Sequence, residues 1–64
     1  MIQQFAGVLR EQIRKDMNNY TDDLANGICQ SFDQYQKLCG VIHGLAIAEG
    51  YLLDLAKKVE EANE

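Results

Sequence analysis

From Tyr35 to Val59 the chain repeats its apolar residues three and four apart: Tyr35, Leu38, Ile42, Leu45, Leu52, Ala56 and Val59. Glu49 is the one interruption, and no proline breaks the run. That spacing is the heptad of a helix packed along its length. A second row shares part of it and runs through Val41, Leu45, Ala48, Leu52, Leu55 and Val59, with Tyr51 and Leu53 widening the apolar surface further. One neighbouring helix covers one such row. A helix that is apolar on two sides therefore requires a neighbour on each.

The first half supplies only one. Ile2, Phe5, Ala6, Leu9, Ile13, Met17 and Tyr20 recur every three or four residues, while Arg10, Glu11, Arg14, Lys15 and Asp16 occupy the other face. This is an amphipathic helix, supported by Glu11 placed four residues before Lys15. Asn18 and Asn19 are a weak point where Thr21 could cap a second short piece, but the periodicity favours one helix over 2–25, bent or straight. Asn26 and Gly27 then stop it, because glycine just past the last helical residue accepts the left-handed conformation. Ser31 and Gln34 read S-x-x-Q, a capping box that starts a second helix over 32–61. The connection is short, so the two helices lie antiparallel. The expected fold is all-α, an antiparallel two-helix hairpin forming one module over residues 1–64, completed by oligomerisation or by a larger partner.

Sixty-four residues make at most one domain, and a chain this short buries too little surface to be stable without help from disulfides, metal or association. A disulfide is disfavoured: Cys39 lies about two turns inside the second helix and Cys29 before its start, which separates their Cα atoms by roughly 12 Å or more against a limit near 7 Å. Both read as small apolar packers in a reducing compartment. A metal is disfavoured too, since His43 is the one histidine and the cysteines have no zinc-ligand spacing. Association is what remains.

Six Lys and Arg against ten Asp and Glu give a net charge of -4, which disfavours nucleic acid, whose phosphates need a basic surface. Met1 leads into a charged amphipathic segment, so no signal peptide is expected. No run of 18 apolar residues occurs, so no membrane span is expected either. No nucleophile, base and orienting group converge, and no cofactor motif is present, so the expectation is a protein without enzymatic activity. His43, beside the seam, reads as a solvated or interface side chain, and Asp22 with Asp23 as helix-end residues rather than a cation site.

The candidate site is a partner interface formed by Gly40, Val41, Gly44, Ala48, Tyr51, Leu52, Leu55 and Val59. Gly40, Gly44 and Gly50 each cost about 1 kcal/mol inside a helix relative to alanine. Gly40 and Gly44, followed by Ala48, make a small-residue ridge that admits a close backbone. Glu49 occupies a core-type position, where a charge sets register or finds a partner. Facing residues of the hairpin should have numbers adding to about 58, which pairs Tyr20 with Leu38, Ile13 with Leu45 and Phe5 with Leu52 or Leu53. The same register sets Glu49 beside Arg10. Arg10, Arg14 and Lys15 form the one basic cluster, which reads first as a solvated face balanced by Glu11 and Asp16; the alternative is an anion or RNA contact, as in dimeric hairpins of the Rop type, which the chain resembles in length and architecture only.

Residues 22–56 also resemble small uncharacterised helical proteins encoded among the structural genes of tailed bacteriophages. The likeness rests on a D-[DE]-[LI]-A-x-G start (Asp22, Asp23, Leu24, Ala25, Gly27), a Y-x-x-x-x-G-x-I-x-G-L-A-x-A-E stretch (Tyr35, Gly40, Ile42, Gly44, Leu45, Ala46, Ala48, Glu49) and a final L-L-D-L over residues 52–55. Gly50 stands where those proteins often carry a basic residue. The resemblance implies a small structural or morphogenesis protein docking on a head, portal or neck protein, found in the host cytoplasm during assembly or in the virion. The alternative is a regulatory adaptor or inhibitor that binds a host protein or RNA. The partner is thus a second copy or a larger phage assembly protein.

Overall fold

The structure, a computed structural model, describes residues 2–62. It is an all-α helical hairpin, with α1 spanning Ile2–Ala25 and α2 spanning Phe32–Ala62. The first helix has the expected bounds and the second runs one residue further. Nothing breaks α1 at Asn18 and Asn19. Thr21 does not cap a second piece; its hydroxyl donates instead to the Met17 carbonyl one turn back, at 2.9 Å, which satisfies the side chain inside a continuing helix.

Both ends of the connection are capped. Gly27 has a φ of 72°; its N–H donates to the Leu24 carbonyl at 3.2 Å, and the Ile28 N–H to the Asp23 carbonyl at 3.3 Å. This pair of bonds is a Schellman motif, and it uses carbonyls that the end of α1 would leave unpartnered. Across the turn, the Gln34 N–H donates to Ser31 Oγ at 3.1 Å, as the capping box requires. The Gln34 side chain reaches one residue further than expected, accepting from the Gln30 N–H at 2.7 Å rather than from Ser31. Two closed caps within the connection 26–31 turn the chain back on itself.

Along the contact, α1 offers Ala6, Ile13, Met17, Tyr20 and Leu24, and α2 offers Leu38, Ile42, Leu45, Leu52 and Ala56, all half-buried. These α2 residues are the inner members of the heptad; Tyr35 and Val59, at its ends, stay exposed. The result is a rod of 51 × 16 × 11 Å with a radius of gyration of 15.0 Å, against about 11 Å for a compact domain of this length. Among the described residues no hydrophobic side chain is fully buried, and the one buried residue is Glu49, 7% exposed. The chain presents 5180 Å² to solvent, where a folded monomer of 7.2 kDa presents roughly 4,100 Å². Two helices in line contact build a seam, but no core.

Candidate protein-interaction site

Glu49 fixes how the helices meet. Arg14 grips its carboxylate with two bonds, Nε to Oε2 at 2.6 Å and Nη2 to Oε1 at 2.9 Å. Arg10 stands behind, its Nε 3.7 Å from Oε2. The expected pair of Arg10 and Glu49 is therefore the weaker of two, and Arg14 carries the hydrogen bonds. Helical side chains lean toward the N-terminus of their own helix. In an antiparallel pair this carries Glu49 toward the loop and Arg14 toward the open end, so the two tips meet although their Cα atoms are offset. Reading the register from Cα positions alone misses Arg14; adding the lean of one turn finds it. Both arginines stay half-exposed while the carboxylate is buried, so the bridge orients the hairpin more than it stabilises it, contributing about 0 to 1 kcal/mol.

The other side of α2 is bare. Of the eight expected interface residues, Leu52 is half-buried against α1, and Gly40, Val41, Gly44, Ala48, Tyr51, Leu55 and Val59 are all exposed, Tyr51 at 67% and Leu55 at 60%. Phe5, Ala6, Leu52, Leu55, Ala56 and Val59 line an apolar hollow of about 180 Å³ at the open end, which joins the exposed flank of α1 to the bare side of α2. A methyl group placed on Gly40, Gly44 or Gly50 would meet nothing within 4 Å. The helix-weakening effect of these glycines is thus not offset by any close contact inside the hairpin.

A basic groove, open and about 680 Å³, runs along α1 past Gly7, Arg10, Glu11, Arg14, Lys15, Asn18 and Asn19. Two of its three cations point to Glu49, which reduces the charge it can offer to an anion. Cys29 and Cys39 are free and half-buried. Cys39 beside Tyr35, through hydrogen bonding and then charge, raises the phenol above its ordinary pKa of 10.0. Such a contact is a surface detail, not a catalytic arrangement. His43 is exposed.

By length and composition, α2 is apolar enough to cross a membrane: an 18-residue window within it reaches a mean hydropathy of 1.4 with no more than two charged residues. The core helix of a soluble protein meets the same two measures. Glycines, His43 and Glu49 interrupt an unbroken apolar run without pulling the average down. The geometry sets a cost against insertion. Glu49 sits near the middle of α2 with Arg14 bound to it, and a charge at the centre of a bilayer costs about 2.5 kcal/mol or more.

Comparison with protein-family models, curated proteins and solved structures found no match.

Proposed function

We propose that this chain is a small non-enzymatic interaction protein of tailed-phage assembly, docking through the far side of α2 onto a structural partner of the head, portal or neck. One observation carries the docking half: apolar side chains line both sides of α2, yet none of the described ones is buried in the hairpin. The excess of about 1,000 Å² over a folded monomer's surface compares with the roughly 800 Å² that one partner contributes to a stable interface. The phage context rests on the resemblance of residues 22–56.

The test is mass spectrometry of particles purified from cells that express the chain with its neighbouring genes. A structural protein is found in stoichiometric amount. Absence from both mature particles and assembly intermediates would overturn the reading in favour of a regulatory adaptor.

A further inference from the structure

A third row runs along α2, and it is complementary to itself. Asp33, Lys37, Gly40, Gly44, Ile47, Tyr51, Asp54 and Lys58 alternate four and three residues apart, and every one of them is exposed. At 3.6 residues per turn they form one stripe, centred about 145° around the helix from the row that meets α1. α1 therefore does not obstruct it. Among the described residues the salt bridges are those of Glu49, so the four charges of this stripe have no ionic partner there.

Laid antiparallel against a second copy, the stripe pairs residues whose numbers add to 91. Asp33 then meets Lys58 and Lys37 meets Asp54, each twice by symmetry. In the same register Tyr51 falls over Gly40 and Ile47 over Gly44, so each large side chain enters a gap where a methyl group would find open space. A parallel pairing would instead set each charge against its like. We infer that the partner on this side of α2 is a second copy of the same chain, joined antiparallel through this stripe. The inference rests on the docking reading above and assigns this stripe to self-pairing, which leaves the row of Val41, Ala48 and Leu55 to the docking partner. The row of Val41, Ala48 and Leu55 lies in the wedge between this contact and α1.

Charge exchange tests it. Sedimentation equilibrium of the full chain at micromolar concentration should give twice the monomer mass. Lys37→Glu sets two like-charged pairs against each other and should weaken the dimer about tenfold. Lys37→Glu combined with Asp54→Lys restores both pairs with reversed sign and should recover wild-type association. With Cys29 and Cys39 replaced by serine, a mixture of Lys37→Cys and Asp54→Cys chains should form a disulfide dimer that neither forms alone.

A wild-type monomer, a combined variant weaker than Lys37→Glu alone, or a chain that sediments with phosphatidylcholine vesicles instead of pairing would overturn the inference. A monomer still present in assembled particles would sink self-pairing while sparing the docking reading.

Discussion

Along the side of α2 that meets α1, the one charge in the row, Glu49, is answered by Arg14 and Arg10; along the opposite side Asp33, Lys37, Asp54 and Lys58 have no salt bridge among the described residues. Glycine follows the same division. The α1 side carries leucines and isoleucine and no glycine, whereas the far side carries Gly40 and Gly44 with open space above them. A helix interior tolerates glycine at a cost of about 1 kcal/mol, and on a solvated face alanine would serve better. Where both the charges and the glycines go unused within a fold, a contact with another chain is the proposal that uses both.

The sharpest way to break this comparison is at Leu52, which belongs to both apolar rows. If the far side is covered in the assembled protein, Leu52→Ala costs about 2 to 5 kcal/mol, the range for a buried leucine. Urea unfolding across a hundredfold range of protein concentration measures it. A loss below about 1 kcal/mol, independent of concentration, means that the side chain stays half-exposed and that the two sides of α2 do not differ as argued.

Gly44→Leu acts on the far side alone. Leucine is the better helix former by nearly 1 kcal/mol, so the isolated chain gains helicity by circular dichroism. The added side chain fills the gap into which the facing Ile47 would enter, and overpacking of that kind costs about 1 to 3 kcal/mol. Helicity rises while association falls. A variant that associates more tightly would show that the glycines mark plain surface.

The near side responds differently because its charge is already answered. Arg14→Ala removes both hydrogen bonds to Glu49 yet leaves Arg10 beside it, and the expected loss is about 1 kcal/mol or less. Glu49→Leu replaces the buried carboxylate with an apolar side chain of similar size, which is often neutral or stabilising, and frees two half-exposed arginines to water. Thermal unfolding of the pair separates the roles of the bridge. A large loss in Glu49→Leu would mean that the carboxylate holds the helices together rather than setting their register.

Much of the hairpin is legible in the residues because its signals are local. Gly27 past the last periodic position and Ser31 three before Gln34 mark the two helix ends through bonds spanning a few residues, and the inner heptad from Leu38 to Ala56 marks the buried edge. Arg14 was not legible from spacing alone, since its partner depends on side chains leaning opposite ways in antiparallel helices. The charged stripe from Asp33 to Lys58 is hidden from the apolar pattern for another reason. A search for apolar periodicity passes over a row whose ends are charged and whose middle holds glycine, and only the open space above Gly40 and Gly44 draws the eye to it. The mean hydropathy of α2 stays high although glycines, His43 and Glu49 interrupt its apolar run, so an average and an unbroken run read the same helix differently.

The smallest effect belongs to Tyr35, at the edge between the two sides. Its phenol lies one turn from Cys39, which acts on it through hydrogen bonding and then charge. Hydrogen bond and charge both favour the neutral phenol, which raises its pKa above 10.0 in the folded chain. The sign follows: the contact favours folding below the unfolded phenol's pKa, and that contribution disappears as pH climbs through the raised value. In a Tyr20→Phe, Tyr51→Phe background the absorbance of tyrosinate at alkaline pH reports Tyr35 alone, and Cys39→Ser should move its midpoint back toward 10. A midpoint that does not move would mean that Cys39 faces away from Tyr35 in solution, turned instead toward whatever covers that edge of the helix.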